Sequence, residues 1–208
     1  MKRFKAYSFA KLILTVLCTF FIICSFAYAQ EDKMGKTLIL YYSLTGNTGA
    51  GCEALQKALG ADILEIKDLK KRSDKGFTYR RTGFASLFGL RTRIEPENPD
   101  LSAYHNIIIG SPIWTGKLSM AIRTLIDKNS FDGKKVVIYT TTNAGEKGKY
   151  KEKSSNLVRE AGGDVVGYYQ ILAMDRTGDE KVKRTNDQII ADTLMLVPSI
   201  KENFSLKK

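Results

Sequence analysis

The sequence predicts an α/β domain built on a doubly wound, five-stranded parallel sheet, and three observations carry that reading. Four short runs and a less pure fifth, 62–66, are apolar without alternating polar residues, the pattern of strands covered on both faces. Helix-like stretches with apolar residues three and four apart separate them. With 43% apolar residues, a chain of 208 can bury one ordinary core and still carry an appendage.

The appendage comes first. Lys2, Arg3, Lys5 and Lys11 precede an uncharged run from Leu12 to Ala29, which ends in the small-x-small pattern Ala27-Tyr28-Ala29. That order predicts a signal peptide over 1–29, cut after Ala29. The run also approaches a bilayer-spanning length, so a retained N-terminal membrane anchor is the alternative. In both cases the basic end stays inside and the rest of the chain is expected to be extracytoplasmic: secreted, periplasmic or anchored facing outward. Residues 30–35 read as a linker and 36–204 as the domain.

The expected strands are 37–42 (TLILYY), 62–66 (DILEI), 106–109 (NIII), 135–140 (KVVIYT) and 165–172 (VVGYYQIL). Helices are expected over 48–59, with apolar positions at 52, 55 and 59, and over 118–127, with a stripe at Leu118, Ile122, Leu125 and Ile126. A third covers 154–161 and stops at Gly162-Gly163, and a last one covers 179–196, before Pro198. The connection 68–104 is long for a crossover. Its Phe77, Tyr79, Phe84, Leu87 and Phe88 predict a helix packed on the body, and 95–99 reads as a turn.

Cysteine and charge narrow the function classes. With Cys18 and Cys24 in the leading segment, Cys52 is left without a disulfide partner and reads as a small packed residue. The formal net charge is +11, and the domain stays basic without its leader. Acidic partners, anionic lipid headgroups or solubility account for that sign. Nucleic acid does not, because no aromatic-basic recognition motif accompanies the charge. The basic residues of 67–93 read as a solvated connection in preference to a docking surface, and His105 as a surface or packing residue.

Three loops leave the carboxyl ends of expected strands, where open parallel sheets bind ligands. The first holds Ser43, Thr45, Gly46, Asn47 and Thr48. Its hydroxyls, a glycine and the N-terminus of the following helix suit a phosphomonoester held by neutral donors, or an ordinary capped turn. A P-loop needs Lys after the glycine, and a dinucleotide fingerprint needs another glycine spacing. A phosphoacceptor domain of this topology needs acids where Tyr41-Tyr42-Ser43 stands. The second loop carries Ser111, Pro112, Ile113, Trp114 and Gly116; its indole either stacks on a flat heteroaromatic ring or folds back on the core. The third carries Thr141, Thr142, Asn143 and Gly145, small donors suited to a ring edge. No acid-base pair converges in these loops, and no catalytic or metal-binding side chain is named.

The run from Ile39 to Thr48, ILYYSLTGNT, resembles the phosphate-binding signature of the flavodoxin family, and 107–127, IIIGSPIWTGKLSMAIRTLID, resembles its flavin-flanking loop. The resemblance covers about 36–196. It implies a three-layer flavodoxin-like fold of sheet order 2-1-3-4-5 with FMN as cofactor. It puts the phosphate on Ser43, Thr45, Gly46, Asn47 and Thr48, and the isoalloxazine near 112–116 and 141–145. Electron-carrying members are usually acidic and cytoplasmic, with a second aromatic in the third loop. Here the chain is basic, and 140–149 holds none, so Phe77 and Tyr79 become candidates to cover the ring. The expected function is extracytoplasmic electron transfer with a partner protein or small acceptor. The alternatives are an FMN-dependent NAD(P)H:quinone or small-acceptor reductase, and a binding module of the same fold without flavin. A basic surround further predicts a flavin couple less negative than in acidic members.

Overall fold

Strand β1, Thr37–Tyr41, is buried at all five positions, which only a strand covered on both faces can be. The computed structural model describes residues 35–70, 72, 82, 84–143, 145, 148–177 and 180–206. The expected signal peptide or anchor therefore lies outside the described residues, as do Phe77 and Tyr79. Among the described residues no helix is long and apolar enough to cross a membrane.

The main elements follow the expected alternation. Helix α1 is Asn47–Leu59, β2 Asp62–Glu65, β5 Asn106–Trp114, α2 Met120–Lys128, β7 Lys135–Thr142, α3 Gly148–Glu160 and β8 Asp164–Leu172. The five strands pair in the order β2-β1-β5-β7-β8, all parallel. Leu40, Ile109 and Ile138 sit side by side across the centre of the sheet.

Alternation then sorts side chains to two faces. Leu38, Leu40, Ile107, Ile109, Val136 and Ile138 join Ile122, Leu125 and Ile126 of α2 and Val158 of α3 in one core cluster. Ile39, Ile108, Val137 and Tyr139, all fully buried, take the other face. There the Tyr139 hydroxyl reaches α1, where a Cβ on Gly51 would stand 1.9 Å from it, so only glycine fits. Full burial of each of these aliphatic side chains contributes about 1.5–3 kcal/mol.

The structure corrects the sequence reading at four places. Helix α2 starts at Met120, because β6, Lys117–Leu118, turns back to pair with the end of β5. Thr115 and Gly116 both have positive φ, as a two-residue hairpin loop requires. Helix α3 starts six residues early, at Gly148, and adds Tyr150 to its length. The expected last helix begins instead as a hairpin, β9 (Met174–Thr177) with β10 (Glu180–Lys183). Helices α4, Asn186–Leu194, and α5, Val197–Ser205, follow it. Pro198 stands in the first turn of α5, where its missing N–H costs nothing.

The fourth correction concerns the long connection. Two-residue strands β3, Lys67–Asp68, and β4, Ile94–Glu95, pair at its base. Asp68 is engaged there by Arg72 and, at 2.6 Å, by Thr92 Oγ1. Residues 84–87 are helical, but Phe84, Leu87 and Phe88 face solvent rather than the body. Cys52 is buried and His105 exposed.

Candidate functional site

A cavity of about 600 Å³ opens at the carboxyl ends of β1, β5 and β7. Its first wall is the loop after β1. Gly46, at a φ of 89°, is the N-cap of helix α1 and has no side chain with which to cap the first turn. The N–H groups and the positive end of the dipole therefore stay available to an anion. Ser43 Oγ lies beside this turn, buried and without a hydrogen-bond partner. An orphaned buried hydroxyl costs free energy until something accepts from it, so a bound phosphate oxygen fits here. Thr45, Asn47 and Thr48 line the cavity; Ser43 and Gly46 frame the turn without lining it.

Two hydroxyls tie this wall to the next. Thr48 Oγ1 and Thr141 Oγ1 lie 2.7 Å apart in the interior, which fixes α1 against the end of β7. Helix α1 approaches β5 closely because Gly110 has no side chain: a Cβ there would lie 2.4 Å from Cys52 Sγ. Burial pushes the Cys52 thiol up, so it stays protonated and packs as an apolar group.

Pro112, Ile113, Trp114, Thr115 and Gly116 form the second wall. Trp114 serves two surfaces at once. It lines the cavity, and it also packs on the core edge, its ring T-shaped to Tyr42 with centroids 5.7 Å apart. Its carbonyl accepts from Ser86 Oγ at 3.0 Å. Ser111 points away from the cavity and accepts from Ser119 N at 2.9 Å, holding the loop from beneath. Thr141, Thr142 and Asn143 form the third wall, whereas Gly145 stands exposed outside it.

Seven further residues line the cavity that the sequence reading does not anticipate: Leu44, Thr82, Tyr150, Ala173, Met174, Lys183 and Arg184. Tyr150 packs over Gly116, where a Cβ would stand 2.6 Å from its ring. Its signal in the sequence is an aromatic one position past the stretch 140–149. Met174 and Lys183 come from the β9–β10 hairpin, with Arg184 directly after it. Arg184 is committed elsewhere: Asp192 accepts from it at 2.5 Å and raises its pKa, and Asp175 lies at 3.5 Å. Among the described residues no aspartate or glutamate lines the cavity, and no acidic or His/Cys cluster is placed to hold a metal.

Comparison with known proteins agrees with this architecture. The model of the family described as flavodoxin matches residues 36–166. A candidate flavoprotein from Bacteroides uniformis superposes with a TM-score of 0.60 at 20% identity, covering 76% of this chain and 96% of its own. A flavoprotein from Lactobacillus acidophilus, crystallised in complex with FMN, gives 0.54 at 23% identity, with 65% and 93% covered. At these identities the two share the fold. No curated protein matches the chain. The strand order, the phosphate-type loop at the mouth of α1 and the family match together establish that the chain belongs to the flavodoxin family.

Proposed function

We propose that the protein binds FMN in this cavity and serves electron transfer outside the cytoplasm. The observation that carries the cofactor is the buried, partnerless Ser43 hydroxyl beside the uncapped start of α1, whose Asn47 and Thr48 line the cavity together with Trp114. Ser43, Thr45, Asn47, Thr48 and the first N–H groups of α1 would hold the phosphate by neutral donors. Trp114 offers a flat face to the ring, and Thr141, Thr142 and Asn143 offer donors at its edge. Bound flavin supplies the redox chemistry, and the chain governs its binding, access and potential. Export rests on the apolar N-terminal run.

A second reading, an FMN-dependent NAD(P)H:quinone or small-acceptor reductase, draws support from Lys183. This exposed cation at the cavity suits an anionic co-substrate. Steady-state NAD(P)H oxidation with a quinone separates it from a shuttle that needs a protein partner.

The test is titration of the purified protein with FMN and with riboflavin, read by flavin fluorescence. FMN is expected to bind more tightly, since riboflavin lacks the phosphate. Ser43→Ala is expected to weaken FMN by about 1–3 kcal/mol, roughly five- to 150-fold, and to leave riboflavin little changed. Flavin fluorescence indifferent to the protein would mean a flavin-free module and overturn the proposal.

A further inference from the structure

The connection between β3 and β4 carries an inverted helical turn. Phe84, Leu87 and Phe88 stand at i, i+3 and i+4, one face of the turn, and a bond from Phe88 N to the Phe84 carbonyl at 3.1 Å closes it. That face looks outward, with exposures of 64%, 53% and 75%, and Leu90 adds 55%. Ser86 points the other way and is fully buried.

The body holds this turn from beneath. Ser86 Oγ donates to the Trp114 carbonyl at 3.0 Å, and Lys117 Nζ donates to the Leu87 carbonyl at 2.8 Å. Buried Arg123 donates to the Leu90 carbonyl at 3.3 Å. Four large apolar side chains are thus clustered on one face and presented on a tethered support, the arrangement that marks interaction sites.

Basic residues surround them. Arg91 and Arg93 follow directly, both exposed, and Lys117 lies beneath. Burial, together with the charges of Arg123, Lys153 and Arg91, pushes the Lys117 pKa down, the sign of a crowded positive field. The neighbouring carboxylates Asp68 and Asp127 are already engaged by Arg72 and Arg91.

We propose that residues 84–90 dock the protein on an anionic lipid surface, with Phe84, Leu87, Phe88 and Leu90 entering the interface and exposed Arg93 meeting headgroups. A protruding apolar tip beside an exposed cation is an arrangement such surfaces bind. A protein partner fits less well, because standard interfaces draw on about 20 residues a side. This inference is independent of flavin binding and of the N-terminal segment.

The test is co-sedimentation of the full chain with vesicles of phosphatidylcholine, alone or with about one-third phosphatidylglycerol. Anionic vesicles are expected to bind the wild type more tightly than neutral ones. Phe84→Ser/Phe88→Ser is expected to lower anionic-vesicle binding about tenfold or more. Arg93→Glu, at an exposed site, should lower it too without touching the apolar face. An unchanged circular dichroism spectrum shows that both variants fold. Equal binding by wild type and double variant, as the N-terminal segment alone would give, overturns the proposal. So does retention on poly-glutamate with no binding to vesicles, which would assign the face to an acidic protein.

Discussion

Lys183 illustrates what single residues decide here. Reduction leaves negative charge on bound flavin, and a nearby cation makes that state more favourable. Arg184 is already matched by Asp192 and Asp175, whereas Lys183 stands exposed at the cavity with no acid among the described residues lining the same walls. Lys183→Glu is therefore expected to make the flavin couple more negative by roughly 20–40 mV, about 1–2 kcal/mol for two electrons across a solvated gap. Lys183→Met should fall between. Potentiometric titration giving one value for all three proteins would remove Lys183 from control of the potential. The same scale shows how far loops can be read. The segments 43–48, 111–116 and 141–145 are legible because a glycine, a lone tryptophan and clustered hydroxyls mark them. Which side chains face the cavity is not. Ser111 turns inward to Ser119 while its neighbours Pro112 and Ile113 line the cavity, and no residue type in the run marks that difference.

The element that escapes a reading of the sequence is the β9–β10 hairpin, and for a physical cause. Glu180–Lys183 is exposed at all four positions, so it buries no face and leaves no apolar period to detect. The helix start behind it is readable on local chemistry alone. Thr185 accepts from Gln188 N, and the Gln188 side chain returns to Thr185 N at 2.9 Å, a complete capping box. That box ends the hairpin and aims α4 so that Thr193 meets Tyr139 at 2.8 Å. Thr185→Ala is expected to destabilise the protein by about 1 kcal/mol, a fall in Tm of roughly 2–4 °C. Thr185→Asn, another good cap, should recover most of it. A calorimetric scan in which alanine and wild type melt together would show that α4 is positioned by packing alone. The central strands β1, β5 and β7 needed no such local signal, since continuous apolar runs such as KVVIYT report burial on both faces.

The sheet as a whole keeps tyrosines neutral, and this couples the fold to alkaline pH. Burial, reinforced by Glu65 and Glu53, pushes Tyr41 up to about 12, and burial with Asp68 does the same to Tyr42. Tyr139, the largest fully buried side chain, is raised as well, chiefly by burial. In the unfolded chain each titrates near 10. A folded pKa above the unfolded one means that folding favours the neutral hydroxyl. The stabilisation is complete below about pH 10 and drains as pH rises toward 12, where the unfolded chain releases protons that the fold retains. Denaturant stability is therefore expected to be flat across neutral pH and to fall steeply above about pH 10. The rise in tyrosinate absorbance should coincide with loss of the far-ultraviolet circular dichroism signal. Tyr42→Phe keeps the ring that meets Trp114 edge-on while removing one titrating hydroxyl, so its alkaline slope should be shallower than that of wild type. An identical slope would mean that Tyr42 ionises in place, and that the edge of the sheet beneath Trp114 opens to water before the molecule unfolds.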